Sequence, residues 1–468
     1  MPVRPGTGSD PALALTPHFS PAAVALFLAA VLAIASCSTF PRARYESDPV
    51  LQAALAEAPR YPDLDFVVFS DPHYFDPDLW GDGPAIEAYL RGDRKLLRES
   101  AEILDEALRL VEGTRAQLVI VPGDLTKDGE RSSHLKLAQG LRRLEAAGKR
   151  VFVTCGNHDI LNPEAYRYEG AEQVRVDTVS PEEFAEIYAD FGYREALSRD
   201  PASLSYVAEP VAGLWLLALD ACLYRENPAE GHPETGGRLS EATLEWLDAV
   251  LADAAVERKA VLAFLHHGIT EHYHGQQKHY GEYIVEAGPE VSRLLAAYNV
   301  RVVFTGHYHA QDVTVQRWDD GKFVYDVQTG SLVTYPCPIR VVSIRDNRMS
   351  LESLFVERIA GRPRGFAEFA REFTEEGIRV IAVDTMLELR VREKDALHIA
   401  PQIARAFVAH YRGDEEPPEV ILDKRGVGFM GRLVIWNRRS LIQGLWADLE
   451  PPDDDILVDL GDGSWRRR

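Results

Sequence analysis

Five short clusters in this sequence carry the residue types that hold cations and move protons: Asp71-Pro72-His73, Gly123-Asp124, Gly156-Asn157-His158-Asp159, His266-His267 and Gly306-His307-Tyr308-His309. Carboxylate, carboxamide and imidazole groups together suit borderline divalent metals such as manganese, iron or zinc, and do not make a soft thiolate site. Side chains at i and i+2 of an extended chain point to one side, so Asp71 and His73 can converge on one ion, and the same geometry brings His307 and His309 together. Glycine ahead of the ligand, at Gly123, Gly156 and Gly306, lets the backbone turn off a strand end without a β-carbon penalty. Singly, each cluster has a plain structural explanation, such as a capped turn at Gly156-Asn157-His158-Asp159 or a packed pair at His266-His267. Five in succession, each behind an apolar run, point to a metal site.

Those apolar runs are the elements that must position the side chains. Phe66 to Phe69, Leu118 to Val121 and Val151 to Cys155 read as short strands covered on both faces. The spacing predicts helices from Arg94 to Glu112 and from His134 to Ala147, so strand and helix alternate, which implies crossover connections and an α/β sandwich. Ser203 to Val207, Leu214 to Leu219, Val261 to Leu265 and Val300 to Thr305 read as further strands, with helical pattern at Pro181 to Phe191 and Glu241 to Ala254. Phe323 to Val327, Val341 to Ile344 and Leu351 to Phe355 are expected to close a second sheet. Ligands drawn from several strand ends meet in the crevice where open α/β sheets bind their ligands. Beyond Ile359 the chain reads as two or three helices up to Tyr411 without ligand-like clusters, and Pro451 to Asp455 begins an acidic tail.

At 468 residues the chain exceeds the usual size of one domain, so a large domain with an addition is expected. The net charge of -22 argues against a nucleic-acid polymer as partner, because such affinity comes mostly from Lys and Arg. Cys37, Cys155, Cys222 and Cys337 are too few and too dispersed for a disulfide framework; Cys155 and Cys222 read as small core residues. The run Pro21 to Ser36 holds no charged residue and suits a signal-peptide core better than a membrane span. Its end, Ile34-Ala35-Ser36-Cys37, resembles the bacterial lipobox, although Arg4 is the only basic residue ahead of it. The expectation is a signal peptide over 1–36, lipidation at Cys37 and a tether over 37–62, anchoring an exported protein to the bacterial cell envelope.

In order, the clusters read D-x-H, G-D, G-N-H-D, H-H, G-H-x-H, and that series resembles the calcineurin-like metallophosphoesterase family. The resemblance implies a two-sheet α/β sandwich over 63–359, with a mainly helical C-terminal accessory region over 360–468. It implies two divalent metal ions, with Asp71, His73 and His309 holding one, Asn157, His266 and His307 holding the other, and Asp124 bridging them. The implied reaction is hydrolysis of a phosphate monoester or diester: a metal-bridging hydroxide attacks phosphorus, and His158 contacts the phosphate and assists the leaving group. Within that scheme Asp159 is expected to orient His158. Asp128 could support His158 from behind, but it sits one place later than in many relatives and is left outside the site. His266 is taken over His267 because the family's ligand is the first of the pair; His267 is left to touch substrate or line the cleft. His272, His274 and His279 are expected on a polar surface loop. The competing reading is a non-catalytic envelope lipoprotein that keeps the fold for binding or scaffolding. Retention of all seven ligand positions and His158 favours the enzyme.

Overall fold

Short apolar strands fold here as sheets covered on both faces. A computed structural model describes residues 40–413 and 415–468; the expected signal peptide and Cys37 lie outside the described residues. β1 (Leu64–Val68), β2 (Leu118–Pro122) and β3 (Arg150–Thr154) pair in parallel. Their crossovers are α1 (Ser100–Glu112) and α2 (Arg131–Ala146). Each buries one stripe, Ile103, Ala107, Leu108 and Val111 from the first and Leu137, Leu141 and Leu144 from the second, as the helical period requires.

α1 starts six residues later than the periodicity predicts. Leu96 N–H instead donates to Val333 O (2.7 Å), and the Asp93 carboxylate accepts from Lys95 N–H (2.9 Å), which pulls this stretch across the strand ends. After the hairpin β4 (Tyr166–Glu169) and β5 (Glu172–Arg175) come α3 (Pro181–Ile187), β6 (Ser198–Arg199), β7 (Tyr206–Val211) and β8 (Leu214–Leu219). Ser203 to Ser205, expected in a strand, form a turn because the Asp200 and Asp220 carboxylates accept from Ala202 and Leu204 N–H.

α4 (Glu241–Val256), β9 (Ala260–Leu265), α5 (Gly288–Ala297) and β10 (Val302–Thr305) follow, then β11 (Asp312–Arg317) and β12 (Phe323–Gln328). The second sheet runs β11-β12-β10-β9-β8-β7-β6. The two sheets share one core, in which Phe66 meets Phe304 edge to face at 5.4 Å.

β13 (Pro338–Arg345) and β14 (Arg348–Phe355) do not close that second sheet. β13 pairs antiparallel with β1 and covers its open edge, which places both strands in the first sheet. α6 (Phe366–Glu388), α7 (Glu393–Arg412), α8 (Phe429–Asn437) and α9 (Arg439–Gly444) make the C-terminal region mainly helical. The expected acidic tail is instead β15 (Ile456–Asp459) and β16 (Trp465–Arg467), which extend the first sheet to β16-β15-β14-β13-β1-β2-β3. Ile456, Val458 and Leu460 are buried at alternate positions, the strand signature hidden behind the preceding aspartates.

The segment expected as a tether is docked where it is described. Asp48 caps a helix over Pro49–Leu55, Leu51 and Leu55 are buried, and the Tyr61 hydroxyl donates to Val261 O (3.0 Å). No helix among the described residues is long and apolar enough to cross a membrane.

Candidate metal centre

Five of the candidate ligands leave their strand ends in the left-handed backbone region: Asp71 at φ 50°, His73 at 36°, Asp124 at 47°, His307 at 70° and His309 at 69°. L-residues enter this region at a cost, and such residues gather where the surrounding structure imposes them. The chain is therefore not extended at these ligands, and His307 and His309 fall in different groups instead of converging on one ion. Asp71, His73, Asp124 and His309 form one group whose ligand atoms all lie within 4.8 Å of one another, and Asp124, His266 and His307 form a second. Asp124 belongs to both. Asn157 joins the second group, with Oδ1 3.1 Å from His266 Nε2. All seven side chains are buried.

The glycines divide into two roles. Gly123 turns the chain with φ 97°. Gly156 and Gly306 permit close approach: a Cβ at Gly156 would meet Asp124 Oδ1 at 2.1 Å, and one at Gly306 would meet Asp71 Oδ2 at 2.4 Å.

The donor set fits cations. His266 Nδ1 lies 3.0 Å from the Pro122 carbonyl oxygen, which can only accept, so the ring hydrogen is there. Its Nε2 then faces two oxygens, Asn157 Oδ1 and Asp124 Oδ2 at 3.3 Å. Burial works against a charged ring, yet Asp124 pushes His266 up to about 10, so positive charge is favoured at this point. In the other group, His73 Nε2 faces His309 Nε2 at 3.2 Å. Burial, followed by Lys95, holds His73 well below the ordinary imidazole range, and His73 Nδ1 is buried without a hydrogen-bond partner. His307 Nε2 lies 3.1 Å from Thr235 O, so it donates there and leaves Nδ1 to bind. Among the described residues, neither Asp71 nor Asp124 has a Lys or Arg in ion-pair contact; their charged neighbours are the histidines. Two buried carboxylates and inward-facing imidazoles, without a fixed cation, are the chemistry of a metal cage.

His158 stands apart from the ligands. Its Nδ1 donates to Asp128 Oδ1 at 2.8 Å, its backbone N–H donates to Asp124 Oδ1 at 3.0 Å, and its ring packs edge-on against His73. With 22% of its side chain exposed, it is more open than any of the four ligand histidines. Burial lowers its pKa, but Asp124 and then Asp128 more than offset that and hold it above the usual value. Asp128 is fixed on its other side by buried Lys127, whose ammonium lies 4.3 Å from the Tyr89 ring centroid.

Asp159, expected to orient His158, does something else. Its carboxylate accepts from Leu125 N–H, Thr126 N–H, the Thr126 hydroxyl and Gly156 N–H at 2.8–3.0 Å. It locks the loop carrying Asp124 to the turn carrying Asn157. Burial and then Asp124 push Asp159 up to about 7, while the donated hydrogen bonds pull the other way. The residue that orients His158 is Asp128, set aside in the sequence because of its offset.

His267 is fully buried, and its Nε2 donates to Thr235 O (3.0 Å), so it props up the 235–237 segment. His272 is buried between Asp312 (2.7 Å) and Asp326 (3.3 Å), contrary to a surface loop; His274 is exposed, and His279 contacts Ser440 and Arg438 in the C-terminal region. That region also supplies ligand-type residues the sequence did not reveal, since His410 and Glu415 come together with Asp312 of β11. Arg94 and Lys95 were hidden inside an expected helix. Lys95 lies within electrostatic reach of His73 and His158, and Arg94 of His309. Cys155 is buried and Cys222 partly so, with Cys222 Sγ 3.6 Å from Cys155 O.

The sequence profile described as calcineurin-like phosphoesterase matches residues 64–311. No curated protein matches the chain. Among solved structures, a dimetal phosphatase from Danio rerio aligns at 18% identity over 63% of this chain and 96% of its own, with a TM-score of 0.44. A purple acid phosphatase from yellow lupin (Lupinus luteus) seeds aligns at 11% identity over 65% and 53% of the two chains, with a TM-score of 0.37. A 5'-nucleotidase precursor from Thermus thermophilus aligns at 14% identity over 70% and 59%, with a TM-score of 0.33. With more than half its length in the family profile and two His/Asp groups sharing one carboxylate, the chain belongs to the calcineurin-like phosphoesterase family and carries the centre of a dinuclear-metal hydrolase of phosphate esters.

Proposed function

We propose that Asp71, His73 and His309 hold one divalent ion, that Asn157, His266 and His307 hold a second, and that Asp124 bridges them. The carrying observation is the membership of Asp124 in both buried groups. When bound, the ions supply Lewis acidity, lowering the pKa of a water towards neutrality and offsetting charge on the phosphoryl group. His158, held through Nδ1 by Asp128, keeps Nε2 for a phosphoryl or leaving-group oxygen. Asp159 keeps the two ligand loops in register, so the substrate meets a fixed frame. The test is hydrolysis of bis(p-nitrophenyl) phosphate and p-nitrophenyl phosphate with manganese and with chelator. Turnover of either ester that chelator abolishes is expected, and metal-independent turnover would contradict the reading.

We infer further that 1–36 is a signal peptide and that Cys37 accepts a lipid, anchoring an exported protein to a bacterial envelope. The uncharged run Pro21 to Ser36 and its ending Ile34-Ala35-Ser36-Cys37 support this. In this reading 63–359 is the catalytic domain and 360–468 its accessory region. The full chain made in a bacterium should partition into detergent, and Cys37→Ser should move it to the aqueous phase; an aqueous full-length protein sinks the anchor.

A further inference from the structure

Beside the metal centre lies a cavity of about 230 Å³ that the phosphoesterase chemistry leaves unexplained. Its walls come largely from the C-terminal helices: Ile378 and Met386 of α6, Ile399 and Phe407 of α7, Ile435 of α8 and Leu441 of α9. A cavity of about 150 Å³ lined by Leu, Ile and Phe takes up benzene, so the apolar part of this one offers an apolar guest room. Its remaining wall is the ligand loop itself. Tyr308, between His307 and His309 in the chain, lines it, as does Tyr283, whose ring lies 4.4 Å from that of His307.

Two cations break the apolar lining: Arg438, which contacts His279 (3.1 Å), and Arg94. Arg94 contributes to the wall, its Nε is buried without a hydrogen-bond partner, and among the described residues no carboxylate is in ion-pair contact with it. The groups around its guanidinium are Tyr411, which shares a hydrogen bond with it, Tyr283 and then Asp93, and His309 is within its field. With no acid in ion-pair contact, this guanidinium can take an anion, and its planar fork matches a phosphate. A mostly apolar chamber with a few polar groups, here Arg94, Arg438 and the tyrosine hydroxyls, is the design of a small-molecule site.

We propose that this cavity receives the alkyl or acyl chain of an amphiphilic phosphate ester, whose phosphate spans Arg94 and the metal centre. The substrate class is then a lipid-like phosphate, and the C-terminal helices are its specificity element. This rests on the phosphate-ester reading above.

The test is calorimetric titration of the full chain loaded with manganese, using methylphosphonate and octylphosphonate, which carry the same head group and are not hydrolysed. Octylphosphonate should bind about tenfold tighter or more, since several methylenes leave water. Ala382→Trp, which projects into the cavity from α6, should bring the two affinities together, and Ile403→Trp on α7 provides an independent block should the first variant misfold. Equal affinities for the two phosphonates, with p-nitrophenyl esters still turned over, would overturn the inference and leave the hydrolase standing. A chain preference without any metal-dependent turnover would do the reverse.

Discussion

At the scale of single residues, the centre depends on which carboxylate faces which ring. Asp159 adjoins His158 in sequence but spends its oxygens on the Leu125, Thr126 and Gly156 amides. Asp128, thirty positions away, takes the His158 Nδ1 hydrogen and is itself fixed by Lys127. Asp128→Asn should therefore lower kcat by about 10- to 100-fold while both ions stay bound. Steady-state kinetics beside metal analysis reads this, and an unchanged kcat would remove Asp128 from the mechanism. The ligand types were legible because strand, glycine and ligand follow one another in the chain. Asp128 was legible as a support for His158 and was set aside only for its offset, whereas Lys95 and Arg94 were not, because nothing local marks a side chain inside an apparent helix that reaches the site.

At the scale of elements, short strands terminate in left-handed turns, and buried polar links hold those turns in place. His272 is the clearest such link, joining the loop after β9 to Asp312 on β11 and Asp326 on β12. Burial opposes its charge, but Asp326 and Asp312 push it up to about 10. A folded-state pKa raised above the unfolded value of about 6.5 gives stability that is complete below about 6.5 and lost as pH rises through about 10. His272→Gln should cost about 3 kcal/mol near neutrality, because it removes the imidazolium between two buried carboxylates. In urea unfolding, the gap between variant and parent should close towards pH 10; a gap independent of pH would show that packing alone is involved. The strands β1, β2, β3, β9 and β10 could be read from apolar runs. That β13 and β14 return to β1 could not, because pairing between distant segments leaves no local trace. β15 escaped notice because the aspartates before Ile456 mask its alternation.

At the scale of the whole molecule, a chain of net charge -22 concentrates four histidines and two carboxylates around one cleft, where bound divalent ions reverse the local field for an anionic ester. Helices from the C-terminal region wall a chamber against the ligand loop, and the chain then returns to the first sheet as β15 and β16. The sequence indicated the mainly helical character of that region but not its contact with the catalytic face, which depends on Tyr283 and Tyr308 pointing outward from the centre. The most direct test of the account is metal content and bis(p-nitrophenyl) phosphate turnover of the purified chain beside Asp124→Asn. Two ions per chain are expected in the parent, with loss of at least one ion and of turnover in the variant. Parent protein that binds no divalent metal, or a variant with parental turnover, would contradict the shared-carboxylate centre.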